Sequence, residues 1–213
     1  MKKAPITGLY AITDPALTPD AQLLPAAEAA LRGGARLLQY RDKTASLGQR
    51  QQRASQLRDL CHRYRALFIV NDDPDLAARV DADGVHIGQS DGGLARARAL
   101  LGADRIIGVT CHGDLSLAAQ AAADGADYLA LGRFFPSLTK PLAPPATLAV
   151  LRQASQRCHR PVVAIGGVNA DNAPQLIEAG AASVAVIHAL FGHPDPAAIE
   201  AAARQFSALF PAR

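Results

Sequence analysis

Gly33-Gly34-Ala35-Arg36-Leu37-Leu38-Gln39-Tyr40 is the stretch on which the fold turns. Its paired glycines close a helical segment, because glycine takes the left-handed cap other residues resist, and Ala35 lets the chain swing into an apolar run. The same approach recurs at Asp124-Gly125-Ala126-Asp127-Tyr128-Leu129 and at Ala179-Gly180-Ala181-Ala182-Ser183-Val184. A shorter form stands at Asp83-Gly84-Val85-His86-Ile87. Helices that repeatedly hand over to short β-rich runs are the βα units of a parallel sheet.

Working outward, the β-rich runs predict strands over residues 9–13, 36–40, 67–71, 84–87, 106–110, 128–131, 162–165 and 183–187. Alanine-rich segments of helical period predict helices over 21–32, 47–64, 74–80, 93–101, 115–123, 145–157, 171–179 and 196–210. Eight such units without a Pro/Ser linker point to one closed (β/α)8 TIM barrel over residues 1–213, near the lower limit of about 200 residues for that fold. The competing architecture is a doubly wound open sheet.

Composition narrows the function. A chain of 49% hydrophobic and 19% charged residues is an ordinary globule. Its net charge of +3 comes from bases interleaved with acids, so no basic stripe with stacking aromatics suggests nucleic acid as a partner. Cys61, Cys111 and Cys158 are odd in number and lack metal-ligand spacing, which disfavours a disulfide framework and a zinc site. Met1-Lys2-Lys3 is followed by Ala4-Pro5-Ile6-Thr7 rather than by an apolar stretch, and no apolar run nears the ~20 residues of a membrane span; a cytoplasmic location is expected.

The polar residues that follow the first repeat, Gln39-Tyr40-Arg41-Asp42-Lys43, carry the first functional signal. Strand alternation places Gln39, Arg41 and Lys43 on one face and Tyr40 on the other, so an amide and two cations converge at a strand end. That suits an anionic ligand with a hydrogen-bonding ring, although a solvated turn accounts for these charges equally well in isolation. Lysine usage favours the ligand: arginine dominates, and the four lysines are Lys2, Lys3, Lys43 and Lys140, the last two in loops after predicted strands.

A βα barrel places its active site at the C-terminal ends of its strands, so the residues after each strand can be read together. Strand three is followed by Asn71-Asp72-Asp73-Pro74, strand four by Gly88-Gln89-Ser90-Asp91, and strand five, ending at Thr110, by Cys111-His112. Asp72 and Asp91 are each explicable as helix N-caps. Taken jointly, beside Arg41, Lys43 and Asn71, they fit a magnesium ion bridging a polyphosphate. Ser137-Leu138-Thr139-Lys140 supplies hydroxyls and an ammonium on a long proline-rich loop. Ala164-Ile165-Gly166-Gly167-Val168 and Val186-Ile187-His188-Ala189 end strands seven and eight, the usual phosphate site of this fold, where paired glycines and a short helix from near His188 present backbone amides. His86 reads as a hydrogen-bonded lumen residue, His112 as either an acid/base group or a structural one, and His62, His159 and His193 as surface residues. Cys111 lacks an activating base beyond His112.

With Leu9-Tyr10-Ala11-Ile12-Thr13-Asp14 and His86-Ile87-Gly88-Gln89-Ser90-Asp91, these motifs resemble the thiamine-phosphate synthase family, in family order from about Leu9 to Leu190. The resemblance implies condensation of hydroxymethylpyrimidine diphosphate with hydroxyethylthiazole phosphate to thiamine phosphate and pyrophosphate, with Mg2+ as cofactor. It implies that Gln39 reads the pyrimidine and that Arg41, Lys43, Asn71, Thr110 and Lys140 hold the pyrophosphate, with Arg41, Lys43 and Lys140 the catalytic cations. Asp72 and Asp91 would be the metal ligands. Ser137 and Thr139 would line the thiazole phosphate side, and the amides of Gly167, Ile187 and His188 would grip that phosphate. Thr110 stands where the family often has serine, Ser137 where it has threonine, and His188 where it has serine. The same resemblance leaves as alternatives a thiazole tautomerase using His112, and a non-catalytic thiamine-phosphate-binding barrel. The expected partners are small molecules, with no nucleic acid or membrane, and a homo-oligomer is left open.

Overall fold

The computed structural model describes residues 4–136, 144–193 and 195–211. Eight parallel strands close into a barrel in chain order: β1 (Gly8–Ile12), β2 (Leu37–Tyr40), β3 (Leu67–Asn71), β4 (Gly84–Ile87), β5 (Ile106–His112), β6 (Tyr128–Leu131), β7 (Val162–Ile165) and β8 (Ser183–Val186), with β8 pairing back onto β1. The helices between them are α1 (Asp20–Arg32), α2 (Leu47–Arg63), α3 (Pro74–Arg79), α4 (Leu94–Leu101), α5 (Leu115–Ala123), α6 (Leu148–Arg157) and α7 (Ala173–Glu178). Two more, α8 (His188–Phe191) and α9 (Pro196–Ser207), follow β8. This is the TIM barrel expected from the repeats, not the open sheet.

Period two sorts the strand residues into two cores. Leu9, Ala11, Leu38, Tyr40, Phe68 and Val70 face the helices. Tyr10, Ile12, Leu37, Ile69, Tyr128 and Ala130 alternate with them and belong to the second cluster, inside the barrel. The lumen is thus a packed layer of side chains that floors the mouth, as the fold requires.

The recurrent strand approaches have a structural purpose. Asp83, one residue before β4, accepts from the Phe68 amide of β3 at 2.8 Å, and Asp127, one residue before β6, accepts from the Ile107 amide of β5 at 2.8 Å. Each carboxylate satisfies a backbone donor at the N-terminal rim, where an unpaired amide would cost about 1–3 kcal/mol. Arg98 braces the second site by donating to Asp127 at 2.6 Å. Ser183 closes the seam between the last strand and the first by donating to the Gly8 carbonyl at 2.7 Å.

Boundaries differ from expectation where caps intervene. Helix α6 begins at Leu148 rather than at 145, because Thr147 caps it by accepting from the Val150 amide at 3.3 Å. Helix α9 stops at Ser207, and the chain continues in turns whose amides bond three residues back. No helix among the described residues is long and apolar enough to cross a membrane.

Candidate active site

The C-terminal mouth of the barrel holds a pocket of about 690 Å³ to which all eight strands or the residues just after them contribute. Gln39, Arg41, Lys43, Asn71, Asp72 and Asp91 form one part of its wall. Thr110 and His112 stand after β5, and Gly166, Gly167, Ile187 and His188 line the part above β7 and β8. Ser137, Thr139 and Lys140 lie outside the described residues.

Strand β2 ends at Tyr40, so the alternation that separates Gln39 from Tyr40 is strand geometry, whereas Arg41 and Lys43 reach the pocket from the loop. The Arg41 amide donates to Thr13 Oγ1 at 3.0 Å and its guanidinium pairs with Asp14 at 3.1 Å, which aims the fork while leaving part of it for a ligand. The Asp42 carboxylate, 6% exposed, turns inward and accepts from the Thr44 and Ala45 amides at 2.9 and 3.1 Å and from Arg53 at 2.8 Å. Burial pushes that carboxyl up, and the Thr44, Ala45 and Arg53 donors outweigh it, leaving it below the usual range. The turn that presents Lys43 is therefore clamped from behind.

The cap assignments separate two neighbouring aspartates. Asp73, not Asp72, caps α3 by accepting from the Leu76 amide at 2.8 Å. Asp72 sits in the left-handed region with φ of 60°, uncommon for a residue with a side chain and a feature that gathers at functional sites. Its carboxylate meets Lys43 Nζ at 2.8 Å and lies within hydrogen-bond reach of Asp91 and Asn71. Burial pushes the Asp72 carboxyl up, but Lys43, Asp91 and Asn71 together hold it below the ordinary carboxylate range. Asp91 does not cap α4 either, since Gly93 occupies that position; Asp91 Oδ2 instead accepts from the Gly88 amide at 2.6 Å. Two carboxylates this close repel unless a cation or a proton lies between them.

Across the mouth, Gly166 and Gly167 have φ of 99° and 68°. A Cβ on Gly167 would stand 2.3 Å from the Pro136 carbonyl oxygen, so only glycine fits this close approach. Asn172 steadies the loop by donating to the Gly167 carbonyl at 3.0 Å. Helix α8 begins immediately after Ile187, at His188, which is exposed on the rim.

His86 is the lumen residue expected: its ring nitrogens meet the Tyr128 hydroxyl at 2.9 Å and Thr110 Oγ1 at 2.8 Å. His112 is exposed at the rim with φ of 50°, where β5 bulges against β6. Sequence reasoning did not single out Tyr10, Tyr128 or Arg133, all of which border or underlie the pocket. The alternation of β1 and β6 was the available signal for the tyrosines; for Arg133, which follows β6, no local pattern announces it. Cys111 is buried, and burial pushes its thiol up to about 12, so it is no nucleophile. Among the described residues no group of three or more His, Cys, Asp or Glu side chains gathers as a metal cluster; the carboxylate pair is the candidate cation site.

Comparison with known proteins gives the same reading. The family model described as thiamine monophosphate synthase matches residues 9–190. The chain is 79% identical to thiamine-phosphate synthase from Alcanivorax borkumensis, over 95% of this chain and 94% of that one. It is 55% identical to the thiamine-phosphate synthase of Thioalkalivibrio sulfidiphilus, over 96% of each. Its structure is similar to that of thiamine phosphate pyrophosphorylase from Pyrococcus furiosus, with a TM-score of 0.86 and 36% identity over 95% of each chain. With its motifs assembled at one barrel mouth and these relatives spanning nearly its whole length, the chain belongs to the thiamine monophosphate synthase family.

Proposed function

We propose that the chain condenses hydroxymethylpyrimidine diphosphate with hydroxyethylthiazole phosphate, giving thiamine phosphate and pyrophosphate. The observation that carries this reading is the division of one pocket. Lys43, Asn71, Asp72 and Asp91 meet on one side of it, the Gly166-Gly167 and Ile187-His188 amides lie above β7 and β8, and the Gln39 amide lies on the floor. Two anions can bind at separate places with a ring between them.

The chemistry asks little covalent work of the protein. An electron-rich aminopyrimidine stabilises a benzylic-type cation, so the C–O bond to the diphosphate breaks first and the thiazole nitrogen then closes on the carbon. Arg41, Lys43, Asn71 and Thr110 hold the departing pyrophosphate, the role that the family resemblance also gives to Lys140, which lies outside the described residues. The glycine turn and the amides at Ile187 and His188 fix the thiazole phosphate, so that the nitrogen meets the cation without a search. Asp72 and Asp91 would hold Mg2+, which when bound neutralises charge on the diphosphate oxygens. The carboxylates fit that ion because they are adjacent and half-buried, and both line the pocket.

Mixing purified protein with both precursors, with and without magnesium, tests the reading. Thiamine phosphate formation that depends on both precursors and the metal is expected; its absence would sink the synthase reading. His112, the acid/base group of the tautomerase alternative, stands exposed on the rim, whereas Lys43 and Asp72 pair within the pocket beside Asn71 and Asp91. Small-molecule substrates and a cytoplasmic setting complete the proposal.

A further inference from the structure

Beneath the pocket a chain of five side chains crosses the lumen, and both of its ends are pocket residues. Gln39 Nε2 donates to the Tyr10 hydroxyl at 2.8 Å, and the Tyr10 and Tyr128 hydroxyls meet at 2.9 Å. The Tyr128 hydroxyl meets His86 Nδ1 at 2.9 Å, and His86 Nε2 meets Thr110 Oγ1 at 2.8 Å. Both tyrosines are fully buried, set edge to face at 6.1 Å, and His86 stacks on the Tyr128 ring at 5.6 Å.

Counting donors gives this chain a direction. An amide nitrogen only donates, so the Tyr10 oxygen receives the Gln39 proton and must place its own elsewhere. The Tyr128 oxygen is its partner. Were Tyr128 to donate to Tyr10 instead, the Tyr10 proton would find no acceptor among the side chains that bond it, Gln39 and Tyr128, which disfavours that order for a buried hydroxyl. Tyr128 therefore donates to Nδ1, the imidazole is neutral with its proton on Nε2, and Nε2 donates to Thr110. The Thr110 hydroxyl is left with its own proton to offer the pocket.

We propose that Tyr10, Tyr128 and His86 are positioning residues that impose a single proton order from Gln39 to Thr110. The Gln39 carbonyl oxygen is thereby held as an acceptor for the bound pyrimidine, and the Thr110 hydroxyl as a donor to the diphosphate. This rests on the proposed function for the identity of the two ligand groups, while the proton order itself does not. A consequence is substrate choice. An acceptor at Gln39 matches a ring carrying an exocyclic amine; a ring with an oxo group there needs the amide flipped, which would leave Tyr10 to donate to it and reverse every bond in the chain.

Two measurements test the proposal on the full-length protein. The first is 15N NMR of histidine-labelled protein, with the His86 signals assigned by their loss in His86→Gln. A neutral imidazole protonated at Nε2 is expected, and an Nδ1–H tautomer or an imidazolium would overturn the proposal whether or not the protein turns over. The second is the ratio of kcat/KM for the amino and oxo pyrimidine diphosphates in the wild type, Tyr10→Phe and Tyr128→Phe, each checked for native circular dichroism. The phenylalanine variants keep the rings but release the amide, so discrimination is expected to fall by about tenfold, within the usual range for coupled neighbours. An unchanged ratio in both folded variants would overturn the proposal. Failure of the wild type to join the precursors at all would instead overturn the proposed function, leaving the tautomer measurement to decide the proton order.

Discussion

Replacing Gly108 by alanine is expected to damage the protein far more than one added methyl group suggests. Gly108 lies in β5 against the Tyr128 ring, and a Cβ there would stand 1.9 Å from Cζ, 2.3 Å from Cε1 and 2.4 Å from Cε2. Carbon atoms in contact need ~3.5 Å or more, so the ring must retreat by about 1.5 Å. It has nowhere to go, being fully buried and stacked on His86, and its hydroxyl is tied at 2.9 Å to both Tyr10 and His86. Overpacking of this kind costs about 1–3 kcal/mol. Losing two buried hydrogen bonds adds about 1 kcal/mol each, for a total of about 3–5 kcal/mol. That is a large share of a typical stability of 5–15 kcal/mol. Urea denaturation followed by circular dichroism measures it, as a lower midpoint with an unchanged slope. A loss below about 1 kcal/mol would refute the tightly filled lumen from which the number is built.

Four further outcomes are expected. Asp91→Ala should retain native circular dichroism yet lose turnover by more than about tenfold, as removal of a charged group acting in the transition state does, and an unchanged rate would remove Asp91 from the site. Asp42→Ala should cost about 1–3 kcal/mol by leaving two turn amides without their acceptor and taking from Arg53 one of its two carboxylate partners, Asp42 and Asp20, measured by denaturant midpoint. The Asp42 carboxyl is depressed in the folded state, so its stabilisation is present above the ordinary carboxylate pKa near 3.8 and is lost as pH falls through its lower folded value; acid denaturation profiles of the two proteins should therefore converge at low pH. Gly167→Ala, which forces a Cβ against the Pro136 carbonyl at a positive φ, should raise KM for the thiazole phosphate more than for the pyrimidine diphosphate. Finally, the three buried thiols should react with a thiol reagent only under denaturing conditions; rapid native labelling would contradict their burial.

The barrel was legible because its punctuation is local. Each glycine-small approach and each apolar run can be read within eight or so residues, and the eight strands emerged within two residues of their observed ends. Caps blurred the helix starts, as at Thr147, since a capping hydroxyl and a preceding proline look alike in a polar run. The pocket was legible as a list because the fold puts every strand's C-terminal end at one mouth. Which aspartate caps and which serves the pocket was not, because Asp72 and Asp73 differ only in backbone angle, and the left-handed turn at Asp72 depends on the tertiary contacts around it. The anchoring of Asp42 was hidden for the same reason: its partner Arg53 comes from a helix eleven residues on. The tyrosine and histidine chain through the lumen joins residues as far apart as Tyr10 and Tyr128, a pairing only closure of the barrel creates.

Most direct of all is a single-turnover assay of product formation from the two phosphorylated precursors, run with magnesium, with chelator, and with Asp72→Asn in place of the wild type. Thiamine phosphate and pyrophosphate should appear in equal amounts with metal and wild-type protein, and fall steeply in the other two conditions. Product formed at the same rate in chelator and by the variant would contradict a site in which Asp72 and Asp91 share a cation over a departing diphosphate.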